Sequence, residues 1–101
     1  VKRVEKGSAM LLRDAVGREL RAARVAQSRT LRSVARDARV SLGYLSEVER
    51  GQKEASSELL ASICAALNIE LSKLLGEVTV QIAQSEFKNE KTALKVISDA
   101  A

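Results

Sequence analysis

The side chains best equipped for chemistry lie between Thr30 and Lys53, and their types suit recognition, not bond making. Arg32, Arg39, Arg50 and Lys53 supply positive charge, and Ser41, Tyr44 and Glu47 supply donors and acceptors around the small apolar pair Leu42-Gly43. From Arg18 to Lys53 there are nine Arg/Lys against four Asp/Glu, a local +5 that exceeds the +4 of the whole chain. Such a concentration suits contact with phosphates, although arginine-rich helices are also simply soluble. The chain has no His and one Cys, which excludes a nucleophilic triad, a zinc site of the usual multi-ligand kind and an internal disulfide. No Gly-rich phosphate loop or paired-carboxylate pocket is evident. The chain does not read as an enzyme, and nothing in it calls for a cofactor or a metal.

Two short helices must position these groups. Leu31, Val34, Ala35 and Ala38 fall at i, i+3, i+4 and i+7, the stripe of an amphipathic helix that Thr30 can cap through the backbone N–H of Arg32 or Ser33. Arg39-Val40 interrupts the stripe. Ser41 can cap a second helix, in which Leu45 and Val48 face the first while Leu42, Gly43, Ser46 and Glu47 face outward. Gly51 supplies a stop. This is the pattern of a helix-turn-helix, whose second helix can enter the major groove of duplex DNA.

The 101 residues form one small domain whose hydrophobic fraction is 46% with 2% aromatic, so the core is built from Leu, Val, Ile and Ala. With no Pro and five Gly, packed helices are favoured over a sandwich. Residues 1–10 are polar and aperiodic and read as a flexible leader. Leu12, Val16, Leu20 and Ala23 make the inner stripe of a first helix from Leu11 to about Gln27-Ser28, with Arg13, Arg18, Arg21 and Arg24 on its other side. After the loop 51–55, Ser56 caps a fourth helix with Leu60, Ile63, Cys64 and Leu67 inward, and Asn68 suits a left-handed end. Cys64 reads as a small core residue. Ser72 to Leu75 makes a short fifth helix. No apolar run approaches the ~20 residues of a membrane span, and no signal peptide is visible, so a cytoplasmic protein is expected.

The tail, residues 77–101, follows a domain at 11–76. Ala83, Phe87, Leu94 and Ile97 share a helical face, whereas Val78, Val80 and Ile82 alternate as in a strand; the Gln, Glu, Lys and Ala around them favour helix. The face either folds back on its own domain or pairs with a second copy, and a homodimer is the expectation.

From Val16 to Leu75 the order of residues resembles the Cro/C1-type (XRE-like) helix-turn-helix family. The matches are Val16-Gly17, Leu20-Arg21, Arg24, Val34-Ala35, Val40-Ser41, Leu60, Ile63, Ala66-Leu67 and Leu74-Leu75. The densest stretch, Tyr44-Leu45-Ser46-Glu47-Val48-Glu49-Arg50-Gly51, is similar to the family's YLSxIERG signature. Within the family the stretch from Val40 to Leu67 looks like the actinobacterial Clp-gene regulators. The resemblance implies an all-α fold: a five-helix lambda-repressor-like DNA-binding domain, here with an additional C-terminal helix. It also implies a transcriptional activator of Clp protease and stress genes. Three departures stand out: Arg39 replaces a frequent turn Gly, Leu31 a common Gln and Ala55 a common Pro.

By the family's pattern Ser41, Leu42, Gly43 and Glu47 point to base edges, with Tyr44 and Arg50 nearer the phosphates. Leu42 can touch a thymine methyl and Glu47 can accept from cytosine N4. Because Leu31 offers phosphate nothing, that contact passes to Thr30 or Arg32, and Arg32, Arg39 and Lys53 can reach the duplex. The bland alternatives are a core Leu42, a Glu47 paired with Arg50 on a solvated face, and a structural Tyr44. A dimer would read an inverted-repeat operator. Related folds also serve in antitoxins and adaptors that bind proteins instead of DNA, the principal rival reading. Asp99-Ala100-Ala101 is similar to the small apolar ends that Clp proteases take as degradation tags, which makes Clp protease a candidate partner, with an ordinary frayed terminus as the favoured alternative.

Overall fold

The computed structural model describes residues 10–100, with side chains through residue 90. Five helices follow one another: α1 (Leu12–Ala26), α2 (Leu31–Ala38), α3 (Leu42–Glu49), α4 (Ser57–Ala66) and α5 (Leu71–Ala100). Polar caps start three of them. Thr30 Oγ1 accepts from Ser33 N at 3.0 Å, Ser41 Oγ from Tyr44 N at 3.0 Å and Ser56 Oγ from Leu59 N at 3.2 Å. Each satisfies a donor that the first turn leaves without a carbonyl.

One device ends the first four helices. Residues Ser28, Arg39, Gly51 and Asn68 have φ of 54°, 60°, 72° and 56°, and each lies between two crossed backbone bonds that close the last turn. At α3, for example, Gly51 N donates to Val48 O and Gln52 N to Glu47 O, the Schellman arrangement. Three of the four left-handed positions thus carry a side chain. Gly51 could not: a Cβ there would collide with Asp14 Oδ1 and lie 3.2 Å from Asp14 Cα.

The core joins all five helices through Ala15, Leu20, Val34, Ala35, Ala38, Leu45, Val48, Ile63, Cys64, Leu67, Leu74 and Val78. Burial pushes the Cys64 thiol up, so it stays protonated and inert. The inner stripe of α1 begins one turn later than its periodicity suggests. Leu12 is 53% exposed, whereas Ala15 and Leu20 are fully buried with Val16 and Ala23 packed beside them. Leu12 stands at the rim of a cavity of about 100 Å³ with Leu60 and Leu75. Met10, counted with the leader by sequence, packs against the core; residues 1–9 lie outside the described ones.

The short fifth helix and the tail helix are one. Gly76, where a domain boundary was expected, sits inside α5, and no strand forms at Val78, Val80 and Ile82. The alternation resolves at helical spacing instead: Leu74, Val78 and Ile82 recur every fourth residue on the inner face. Gln81 Nε2 donates to Glu19 Oε2 and, at 3.4 Å, to Ala15 O, which fastens α5 along α1. Among the described residues no single helix is long and apolar enough to cross a membrane.

Candidate nucleic-acid interface

A close approach of α1 sets the pose of α3. Gly17 lies against its end, where a Cβ would come within 2.5 Å of Val48 O and 2.6 Å of Glu49 O. Beside it the Glu49 carboxylate takes a fork from Arg24, Nε to Oε2 at 2.7 Å and Nη2 to Oε1 at 3.0 Å. Arg24 Nη1 donates to Arg29 O, so the guanidinium also ties down the turn into α2. The side chains are 15% and 6% exposed, and the hydrogen bonds to Glu49 raise the Arg24 pKa above its ordinary value against the opposing effect of burial. Arg24 was expected on the solvent side of α1, and Glu49 was not singled out. The signal was available, since Glu49 follows Leu45 by four residues and therefore shares its inward face.

Two further tethers hold the unit. Arg13 Nε donates to Gly51 O at 2.8 Å, fixing the loop after α3. Arg29 reaches from the start of α2 to Ala66 O, Ser33 Oγ and Asp37 Oδ2, binding α2 to the end of α4.

With the inner side of α3 fixed, its outer side forms an open surface. Ser41, Leu42, Gly43 and Arg50 are exposed, and Tyr44, Ser46 and Glu47 half-buried. Leu42, at 38% exposure, is not part of the core. Gly43 is the least expected of these: a Cβ there would meet nothing within 4 Å. Nothing among the described residues therefore requires glycine at a helical position where alanine would be preferred. Thr30, Arg32 and Arg39 are exposed along the edge of α2 and the turn. The hydroxyl oxygens of Thr30 and Ser41 are engaged as caps, which leaves their O–H groups able to donate outward.

Glu47 does not pair with Arg50. Its Oε1 lies 3.4 Å from Lys53 Nζ, and that ammonium stands 5.8 Å from the centre of the Tyr44 ring. Arg50 Nε instead donates to Ser46 O at 3.3 Å. The cluster of Tyr44, Glu47 and Lys53 was not foreseen as a unit, because Lys53 reaches it only through the left-handed turn at Gly51.

α5 docks on α1 and α4 and so leaves this surface open. Beyond its inner face, Val80 is 49% and Phe87 63% exposed, and Ala83 is exposed as well. The side chains of Leu94, Ile97, Ala100 and Ala101 lie outside the described ones.

A helix-turn-helix family model matches residues 20–74, the span from the middle of α1 to the start of α5. Over 78 residues the chain is 56% identical to the transcriptional regulator ClgR of Mycobacterium tuberculosis, covering 77% of this chain and 70% of that protein. The chain belongs to the ClgR family of helix-turn-helix transcriptional regulators. The crystal structure of the clp gene regulator ClgR from Corynebacterium glutamicum agrees with a TM-score of 0.77 at 44% identity, over 88% of this chain and 95% of that one. The restriction-modification controller protein C.AhdI of Aeromonas hydrophila is similar over 61% of this chain and 94% of that one, with a TM-score of 0.60 at 29% identity. A member of the ClgR family is a DNA-binding regulator of transcription and not an enzyme, which fits a site that presents cations and hydrogen-bonding groups on a helix edge.

Proposed function

We propose that the chain binds an inverted-repeat operator as a homodimer through α3 and activates genes of the Clp protease and stress response. The observation that carries the DNA reading is the outer surface of α3, pinned from behind by Gly17 and the Arg24–Glu49 fork and left open by α5. Ser41, Leu42, Gly43 and Glu47 face base edges. Thr30, Arg32, Arg39, Tyr44, Arg50 and Lys53 face the phosphates. Gly43 supports close approach, for a bare backbone lets the helix sink deeper into the groove.

The dimer reading rests on the outer face of α5, where Val80, Ala83 and Phe87 are exposed and Leu94 and Ile97 follow in the same register. Two copies joined there would set their α3 helices about 34 Å apart, one turn of DNA. The assignment of target genes is carried over from the Corynebacterium glutamicum relative, itself a clp gene regulator.

Selection of bound sequences from a random duplex pool, with sedimentation of the complex, tests the proposal. The expected product is an inverted repeat with two chains bound. A single unrepeated site, or one chain per duplex, refutes the dimer; failure to enrich any sequence refutes specific DNA reading. Deleting the gene should lower transcripts of Clp protease genes, and unchanged transcripts refute the assignment of targets.

A further inference from the structure

Lys53 and Glu47 are ordinarily assigned opposite tasks on a DNA-binding surface, the cation to phosphate and the carboxylate to a base. Here they touch. Lys53 Nζ sits 3.4 Å from Glu47 Oε1 and 5.8 Å from the centre of the ring of Tyr44, which precedes Glu47 by three residues and so shares its face of α3. The side chains of Lys53 and Glu47 are 52% and 40% exposed, and a pair so open adds little to folding. Its geometry is nevertheless set by the fold, because the left-handed Gly51, held by Arg13 and closed against Asp14, turns the chain back over α3.

A carboxylate on a surface that must meet DNA has an electrostatic difficulty, since the duplex carries one negative charge per roughly 1.7 Å. Lys53 relieves it. The ammonium offsets the charge from beside Oε1, and because a carboxylate has about four lone-pair sites Glu47 retains acceptor capacity for a donor such as cytosine N4–H. The Tyr44 ring adds a cation–π contact to the same ammonium. We infer that Lys53 is a specificity-positioning residue, which holds and neutralises Glu47 so that Glu47 can read a base. This rests on the proposed reading of DNA by α3 and gives Lys53 a task that a phosphate contact alone does not require.

The test is selection from a random duplex pool with four proteins: the unaltered chain, Glu47→Ala, Lys53→Gln and Arg50→Ala. All three substitutions lie on the surface, and thermal unfolding verifies that each variant folds. For the unaltered chain, exchanging the base pair read by Glu47 is expected to cost about five- to a hundredfold in affinity. Glu47→Ala and Lys53→Gln should flatten the preference at that same base pair, whereas Arg50→Ala should weaken binding to all sequences alike. Full preference at that pair in Lys53→Gln, with a loss shared by all sequences, overturns the coupling and leaves Lys53 a phosphate contact. If Glu47→Ala alters preference nowhere while the unaltered chain discriminates, the base-reading role of Glu47 fails, and the inference with it.

Discussion

Gly43 offers the sharpest test of whether α3 meets another body closely, because the fold and the function make opposite demands on it. It occupies the second position of α3, is exposed, and has 4 Å of clear space where a Cβ would stand. Gly43→Ala should therefore stabilise the free protein by about 0.5–1 kcal/mol, the usual difference between these residues in a helix. For a domain of this size that is a rise in Tm of roughly 2–8 °C. On DNA the same methyl must be accommodated at a surface packed against a groove, where an added methylene group typically costs about 1–3 kcal/mol. Affinity for the selected operator should fall by roughly five- to a hundredfold. Scanning calorimetry and fluorescence anisotropy on one preparation measure both. A higher Tm with unchanged affinity refutes the close approach; a lower Tm refutes the claim that the fold leaves this position free.

Further expectations concern the groups behind the surface. Gly17→Ala should destabilise by about 1–3 kcal/mol, because the backbone of α3 lies in the way of the methyl and has no side-chain end to move; denaturant unfolding checks it. Glu49→Ala should cost roughly 3 kcal/mol by leaving the largely covered Arg24 guanidinium without its carboxylate, and replacing both residues with apolar ones should cost less. Since Arg24 titrates above its ordinary value, its stabilising contribution is complete below that ordinary value and lost only as pH rises through the raised one. The Glu49→Ala penalty should thus be equal at neutral and mildly alkaline pH, and a penalty that shrinks there would refute the assignment. Arg39→Gly should raise stability by about 1 kcal/mol, since only glycine takes φ of 60° without steric cost, while lowering the salt dependence of DNA binding by about one counterion. Thermal unfolding and a salt titration of affinity measure the two effects.

The parts of the molecule legible in the sequence are those written in local chemistry. Thr30, Ser41 and Ser56 signal their caps because a hydroxyl before an apolar stripe has one common use, and Gly51 and Asn68 signal left-handed ends for the same reason. Ser28 gives no such sign, since serine, unlike glycine or asparagine, is not favoured in that conformation; only the chain reversal shows it. Arg24 and Glu49 are separated by 25 positions, and the pairing of two charged residues inside a fold is decided by which helices cross. The small face of α3 was readable from periodicity, but the ion pair between Lys53 and Glu47 depends on how far the Gly51 turn swings the loop. The end of the fifth helix is misplaced in the other direction, since the helix expected at Ser72 to Leu75 runs on through Ala100. The apolar residues on either side of Gly76 keep a single register, and the packing of Leu74, Val78 and Ile82 outweighs the low helix preference of the glycine.

That unbroken register has a geometric corollary. Because no hinge separates the docked half of α5 from its projecting half, whatever the far end grips is held at a bearing to α3 fixed by helical pitch. Each residue inserted near Gly76 would turn that bearing by about 100° and advance it about 1.5 Å. The helix is then a protractor as much as a handle, and in the proposed dimer the half-sites would be respaced only in steps of one residue.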